Sequence, residues 1–329
     1  MLDFSNNLEV LHVSLPYKEW NSYTLFFSAE YSQDFLKKCY RKLNLDQPDL
    51  KSFENCYPFI YYLEHGKLYY EQAEKSPMAI QPIMLFYGLV HLIKACILTV
   101  EPDYPETTSV LAHGLSTRKR KKQQYSFIED EVKFQKNGLF SLMAERMFHM
   151  KQLEGEKATM GEVLELIPEL AGIFLELKGK QNFKEVEEHE SSFSLPKSIL
   201  DQFHMTENRF KEYFQSKSVI PLSFHHEDQQ RIYFKAQLDH SHEPLPLKYN
   251  LEEKHYSFPL NKGELFLFPE LLLHYLLLYN LGMIARYETE WWSELIKMMP
   301  NEDYPLIQTF LKISLKKGPY LIYQYLTNK

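Results

Sequence analysis

Glycine and cysteine are scarce in this chain of 329 residues, which contains 11 glycines and 3 cysteines. Cofactor folds that depend on glycine-rich loops are therefore disfavoured, and the GxGxxG, GxSxG and P-loop motifs are all absent. These absences argue against dinucleotide enzymes, α/β-hydrolases and NTPases. Three cysteines cannot all pair, and no CxxC spacing occurs, so we expect free thiols in a reducing cytosol.

Uninterrupted hydrophobic runs long enough to cross a membrane are also missing. Polar residues break the apolar stretch 77–100, and the stretch 271–285 is shorter than the ~20 residues that a bilayer requires. We therefore expect both stretches to be buried core helices. Because the first residues, Met1–Ser5, lack a basic region followed by an apolar one, no signal peptide is expected. The sequence predicts a cytoplasmic protein without membrane association.

The overall composition is that of a globular protein, with 44% hydrophobic residues, 25% charged residues and a net charge of −7. The length allows two domains of roughly 150 residues. We expect a helical domain at 1–178, with a basic loop and a small β element. A short antiparallel β region and a C-terminal four-helix region would form a second domain at 179–329, with one continuous domain as the alternative. The polar segment 179–194 is predicted to be a flexible joint.

Hydrophobic periodicity predicts a mainly α-helical α+β protein, with helical bundles and small antiparallel β insertions. A capping box at Thr159 and Glu162 marks the start of one helix. Leu272, Leu276, Tyr279 and Met283 should line the buried face of another. Strands are expected between 125 and 134 and between 219 and 268. Helices are expected at 28–43, 53–70, 80–98, 139–153, 160–178, 271–287, 291–299, 304–316 and 320–326.

Five consecutive cations stand out in this acidic chain, directly after the segment that contains His113 and Gly114. Clustered positive charge attracts phosphate groups, and a glycine beside a histidine permits close approach of a ligand. The pattern favours a site for a phosphate, a nucleotide or RNA, whereas a solvated loop or a surface for an acidic partner is the alternative. The run is Arg118, Lys119, Arg120, Lys121 and Lys122.

Arg286 is a second candidate ligand-binding residue. It ends a very apolar helix, where a cation can bind the last carbonyl groups. Alternatively, it points into a cleft lined by Trp291 or Trp292, where a base could stack.

The histidines do not predict a metal site. His91 and His274 lie in apolar helices and are expected to be satisfied core groups. The segments 225–228 and 240–242 contain further histidines, but they lie in polar turns without cysteine or an HExxH motif. No metal and no cofactor are expected.

Three segments carry a resemblance to a known family. They are FENCYPFIYYLEHG at 53–66, PETTSVLAHGLSTRKRKKQQY at 105–125, and MIARY at 283–287 followed by Trp291. They resemble the YaaC-like family of Bacillus and its relatives over nearly the whole chain. The resemblance implies a cytoplasmic protein without an established biochemical activity. Because members are often encoded beside IMP dehydrogenase, it also implies a link to purine metabolism, where a protein partner is expected.

A partial resemblance to HEPN-type helical domains rests on the helix 80–98, the turn at His113 and the helix end at Arg286. HEPN nucleases carry an arginine, four to six residues and then a histidine on one helix. Here only two residues separate Arg146 from His149. We therefore expect a non-catalytic regulatory protein that recognises a nucleotide, RNA or a protein partner. A divergent HEPN-like ribonuclease and a purely structural interaction module are the alternatives.

Overall fold

Three long helices lie between residues 29 and 98. The computed structural model describes residues 17–117, 125–190, 192–238 and 243–329. Gly66 and Gly88 allow the second and third helices to approach closely, because Leu92 and Tyr70 fill the space that a Cβ would need. Pro58, expected to start or bend a helix, lies inside the second one. The helices are α1 Ala29–Lys42, α2 Pro48–Lys75 and α3 Gln81–Leu98, which confirms the three helices predicted here.

A small antiparallel sheet and three shorter helices follow. The capping box is confirmed, since the Thr159 hydroxyl accepts from the Glu162 N–H and the Glu162 carboxylate accepts from the Thr159 N–H. The single helix predicted for 160–178 is wrong, because Pro168 lacks an N–H and opens a separate 3₁₀ turn. The helix predicted to reach residue 153 ends at Phe148. The elements are β1 Leu115–Thr117, β2 Glu131–Phe134, α4 Leu139–Phe148, β3 Lys157–Thr159, α5 Met160–Leu164 and α6 Ala171–Lys178.

A second antiparallel sheet occupies the middle of the chain. Its strands within the described residues are β4 Phe183–His189, β5 Ser192–Pro196, β6 Ser223–Glu227, β7 Arg231–Lys235, β8 Lys248–Asn250 and β9 His255–Pro259, in the order β6-β7-β5-β4-β9-β8. The prediction of a flexible joint at 179–194 is wrong, because β4 pairs with both β5 and β9. Between β5 and β6 lie two helices that the sequence pattern missed, α7 Ile199–Phe203 and α8 Glu207–Lys217.

The C-terminal region contains three helices rather than the predicted four: α9 Glu270–Tyr287, α10 Thr289–Met298 and α11 Asp303–Thr327. The break predicted between the helices 304–316 and 320–326 is wrong, because Gly318 and Pro319, which lie in that gap, are both inside α11. Gly318 is needed because the Tyr70 hydroxyl occupies the position of a Cβ, and the Pro319 carbonyl accepts a hydrogen bond from Tyr23 Oη at 2.5 Å. The residue pair that looked like a helix breaker therefore serves packing.

Helix α9 lies at the centre of the larger of two hydrophobic cores. Leu272, Leu276 and Tyr279 are buried as predicted, while Met283 is half-buried. Most of the other residues of α9 are buried too, so the helix has no single buried face. The larger core joins α1–α6 with α9–α11, and the smaller one lies between the second sheet, α7 and α8. The predicted boundary at 178/179 stays a prediction, although helices on both sides of it share one core.

A buried group of charges joins the two cores. Lys317 of α11 donates to Glu169 Oε1 at 2.5 Å and to the Tyr249 carbonyl, and its Nζ lies 3.0 Å from Glu270 Oε1. Burial raises the pKa of Glu169 above its ordinary value, against the opposing effect of Lys317. Burial also acts to raise the pKa of Glu270, but Lys317 and His274 outweigh it and hold that pKa low. Lys317 donates to the Tyr249 carbonyl and Glu169 accepts from the Leu251 N–H, so hydrogen bonds to these ions, as well as apolar packing, tie the second sheet to the helical core.

Helix α3 is the one described helix that is long and apolar enough to span a membrane by length and composition. Of its residues, 67% are buried inside the protein, as is typical of a core helix. The expectation about a signal peptide concerns Met1–Ser5, which lie outside the described residues. The cytoplasmic location stays a prediction, and the mainly helical α+β fold is confirmed.

Candidate anion-binding site

Two short backbone segments hold His113 in place. The Leu139 N–H donates to the Ala112 carbonyl at 2.7 Å, and the Phe140 N–H donates to the His113 carbonyl at 3.1 Å. Gly114 has a φ of +79°, and a Cβ there would lie 3.0 Å from the Phe140 nitrogen. The close approach that this glycine permits is therefore to the chain's own backbone, which accounts for the glycine without a ligand.

The His113 side chain lies half-buried between α3 and α9. Its ring centroid is 4.9 Å from that of Phe86 and 5.8 Å from that of Tyr279. Burial lowers the pKa of His113, and the nearby charges of Arg286 and Lys94 lower it further. The imidazole is therefore neutral at pH 7, with one nitrogen able to donate and the other able to accept a hydrogen bond.

Arg286 reaches the same place from the end of α9. Its Nε donates to the Gly282 carbonyl at 3.0 Å, and its Nη1 donates to Tyr87 Oη at 3.0 Å. The guanidinium also lies over the rings of Tyr87 and Tyr287, at 5.7 and 5.3 Å. The structure thus brings His113 and Arg286 together around Tyr87, although 172 residues lie between them in the sequence.

The predicted cleft between Arg286 and the tryptophans is wrong. Trp292 is buried, and its Nε1 donates to the Ala79 carbonyl at 2.9 Å. Trp291 packs edge-on against Tyr125, with ring centroids 4.6 Å apart. Both tryptophans therefore serve packing, and the aromatic partners of Arg286 are tyrosines.

The sequence interpretation did not assign three residues of α3 to this surface. Tyr87, His91 and Lys94 follow one another at helical spacing and share the outward face of an otherwise buried helix. Lys94 Nζ lies 5.7 Å from the centre of the Tyr62 ring, and burial lowers the pKa of Lys94. The polar residues that interrupt the apolar stretch were the signal, because their period matches that of a helix.

His91 is not the satisfied core histidine that the sequence predicts. Its ring stacks on Tyr69, with centroids 5.6 Å apart and planes 18° apart, and it lies 5.3 Å from the His65 ring. Burial, Lys94 and His65 lower the pKa of His91 to about 4. Within the part of the chain that the structure describes, its buried Nδ1 has no hydrogen-bond partner. His274, by contrast, is a buried core residue, and its Nδ1 lies 3.1 Å from Ser314 Oγ.

The surface around His113 is positively charged. Among the described residues, no carboxylate lies within 4 Å of Lys94 or Arg286, in contrast to Arg146, whose Nε lies 3.0 Å from Glu101. Unpaired cations beside aromatic rings can bind an anion and a planar group together. We call Tyr87, His91, Lys94, His113 and Arg286 the anion site.

The predicted basic run follows directly after β1 in the sequence. β1 ends at Thr117, and Tyr279 Oη donates to the Leu115 carbonyl at 2.9 Å, which anchors this strand to α9. The run begins at the next residue along the chain. Arg118, Lys119, Arg120, Lys121 and Lys122 lie outside the described residues, so their role stays a prediction.

The sequence also singled out the pair Arg146 and His149 and the histidine-containing segments 225–228 and 240–242, and neither group belongs to the anion site. Arg146 is exposed and paired with a carboxylate, and His149 lies beyond the end of α4 in a left-handed conformation. No group of three His, Cys, Asp or Glu residues in the described ranges could hold a metal ion. Residues 240–242 and the side chains of His226 and Glu227 lie outside those ranges.

Comparison with known proteins supplies one match. No curated protein and no solved structure matches the chain. The resemblance to HEPN-type domains is not shown by these comparisons. The family model described as YaaC-like protein matches residues 24–326, nearly the whole chain. This protein therefore belongs to the YaaC-like family.

Proposed function

We propose that this protein binds a phosphate-bearing nucleotide, free or within RNA, without catalysing a reaction on it. The observation that carries the proposal is the meeting of Arg286 and His113 at Tyr87, on the same open side of α3 as Lys94, with no carboxylate within 4 Å of either cation in the described chain. We further propose that this binding serves a regulatory or adaptor role in the cytoplasm. A protein partner in purine metabolism, implied by the family resemblance, stays a prediction.

The residues of the anion site supply the contacts that such a ligand needs. Lys94 and the guanidinium of Arg286 can donate charge-assisted hydrogen bonds to phosphate oxygens. Neutral His113 can donate one more. The half-buried ring of Tyr87 offers an edge or face against which a base can pack. The adjacent basic run would add attraction that weakens as salt concentration rises.

The test compares two variants that each lose positive charge. Lys94→Gln combined with Arg286→Gln removes both cations of the anion site, whereas Arg146→Gln removes a cation that is already paired. AMP, ATP and a short single-stranded RNA serve as probes in calorimetric titrations, and comparison of the three separates a free nucleotide from RNA. We expect affinity to fall at least tenfold in the double variant, because charge-assisted hydrogen bonds contribute about 1.5–3 kcal/mol each. The Arg146→Gln variant should bind as wild type does.

The basic run is tested through salt dependence. Replacing Arg118, Arg120 and Lys122 with Gln should weaken binding and flatten its dependence on ionic strength, with little change in stability. If wild type binds none of the probes, or if the double variant of the anion site binds them as tightly as wild type, the proposal is wrong.

A divergent ribonuclease remains the alternative activity, and it has a separate assay. General acid–base cleavage requires a proton-transferring group within hydrogen-bond reach of the reacting oxygen. Purified protein incubated with total RNA, with and without divalent metal, should leave the RNA intact. Cleavage that disappears in His113→Ala and survives in His149→Ala would overturn the non-catalytic proposal and place an active site at His113.

A further inference from the structure

The outer face of α2 exposes a row of large side chains to solvent. α1 and α3 cover its other side, where Phe59 and Leu63 are buried. The exposed fractions on the outer face are 53% for Leu50, 64% for Phe53, 54% for Tyr57 and Tyr61, and 55% for Leu68, and His65 is exposed between the last two. We call these six residues the α2 row.

The exposed apolar area of the α2 row lies at the upper end of the range for monomers. Taking about 200 Å² for a fully exposed large side chain, its leucines, phenylalanine and tyrosines together expose roughly 560 Å². The largest apolar patch on a typical monomer is about 300–600 Å² and is often functional. A stable interface buries about 800 Å² on each partner, including a polar rim. The α2 row thus supplies the apolar centre of an interface of ordinary size.

The spacing of the α2 row reads the same in both directions. Successive members lie 3, 4, 4, 4 and 3 positions apart in the sequence. The row has leucine at each end and tyrosine on each side of its midpoint. When two identical helices cross antiparallel about that midpoint, Leu50 meets Leu68 and Tyr57 meets Tyr61 of the other copy. A two-fold interface requires this self-complementarity. We propose that two copies of this chain form a dimer through the α2 row, with their α2 helices antiparallel.

The charges beside the α2 row favour a second copy over a nucleic acid. Glu54 and Glu64 flank the tyrosines on the exposed side of the helix. Lys51 Nζ lies 3.3 Å from Glu54 and 2.7 Å from Asp103, so that cation is already paired. Two carboxylates and two terminal leucines make a poor surface for a polyanion. A second apolar helix, however, buries the leucines and leaves the carboxylates at the rim.

Sedimentation equilibrium of the full chain tests the dimer. Wild type should be a dimer at micromolar concentration. Tyr57→Asp combined with Tyr61→Asp should raise the dimer dissociation constant at least about 100-fold, because buried tyrosines at the centre of an interface are frequent hot spots. Leu175→Asp is the matched control, since Leu175 is 50% exposed on another helix and should leave the dimer unchanged.

Disulfide cross-linking tests the register of the dimer. In the antiparallel pairing, Leu50 of one copy meets Leu68 of the other, so Leu50→Cys combined with Leu68→Cys should form an intermolecular disulfide on oxidation, whereas Leu50→Cys alone should not. In a parallel pairing, Leu50→Cys alone would cross-link. The natural cysteines Cys39, Cys56 and Cys96 are buried and should not interfere.

Several outcomes overturn the proposal. A monomeric wild type does so, as does a dimer that persists in the double tyrosine variant or one in which Leu50→Cys alone forms the cross-link. Loss of RNA binding in the double tyrosine variant, with wild type monomeric, would assign the α2 row to nucleic acid instead. Circular dichroism of each variant confirms that its helices remain folded.

Discussion

Lys317 offers the sharpest test of how the two cores are joined. Its ammonium group is 1% exposed and compensates Glu169 and Glu270 at the same time. Lys317→Met keeps most of the volume of the side chain and removes only the charge and the hydrogen bonds. Two carboxylates then remain buried with no ammonium between them, which is a far greater penalty than the loss of a surface ion pair.

The expected magnitude follows from burial. Removing one partner of a buried ion pair costs about 3–5 kcal/mol of unfolding free energy. Unfolding entropy is about 2.1 cal/mol/K per residue, or roughly 0.7 kcal/mol/K for the whole chain of 329 residues. The melting temperature should therefore fall by ~4–7 °C. Lys316→Met is the matched control, because Lys316 is exposed and its loss should shift the melting temperature by less than ~1 °C.

The loss of stability in Lys317→Met should also depend on pH, and the structure predicts in which direction. Without Lys317, the folded-state pKa values of Glu169 and Glu270 rise, because Lys317 lowers both of them in wild type. A carboxyl whose folded pKa lies above its unfolded pKa contributes stability at low pH, and that stability is lost as pH rises through the folded pKa. Calorimetry should thus show a larger deficit near pH 8 than near pH 5. If Lys317→Met has the same melting temperature as the Lys316→Met control at both pH values, the buried charges around Lys317 contribute nothing to stability. That result would refute the reasoning.

Three further predictions concern packing and backbone geometry. Leu276→Ala, at the centre of the larger core, should cost ~2–5 kcal/mol by leaving a cavity, and an unchanged denaturation midpoint would contradict the packing of α9. Thr159→Ala should cost ~1 kcal/mol by removing the cap of α5, as chemical denaturation would show. Gly138→Ala should destabilise the protein well beyond Gly155→Ala in thermal melts. Both residues have positive φ, but a Cβ at residue 138 overlaps the backbone of Gly114, whereas one at residue 155 meets nothing within 4 Å.

Local sequence predicts the long helices of this protein and the strand region 219–268, where β6 to β9 lie, but it misses β4, β5, α7 and α8. The helices α1, α3 and α9 carry their own signals, namely apolar spacing and length. β4 carries little local signal, because its glutamates face solvent and its partner β9 lies about 70 residues further along the chain. Its pairing depends on tertiary contacts that no short window contains. The Gly318–Pro319 pair misled for the same reason, since a distant tyrosine explains it.

Some residues of the anion site could be identified from the sequence and others could not. His113 and Arg286 stand out in the sequence because each has an unusual local context, and the structure places them together. Lys94 and His91 were overlooked because a histidine or lysine within an apolar stretch resembles an interruption. Only the packing of α3 against α2 and α9 determines which side of α3 remains open. The helical spacing of Tyr87, His91 and Lys94 was the available clue. It shows that these residues share one face of α3, but not which other elements contact that face.

The sharing of one core by α3 and α9 has a consequence during protein synthesis. About 170 residues separate the end of α3 from the start of α9, and ribosomes add about 5–20 residues per second. For roughly 10–35 s, the apolar surface of α3 that later meets α9 has no partner from its own chain. Over that interval the nascent protein exposes an apolar surface that the folded protein buries. Protease resistance of the α2–α3 segment should arise only after α9 and α11 have left the ribosome, however early α2 and α3 themselves become helical.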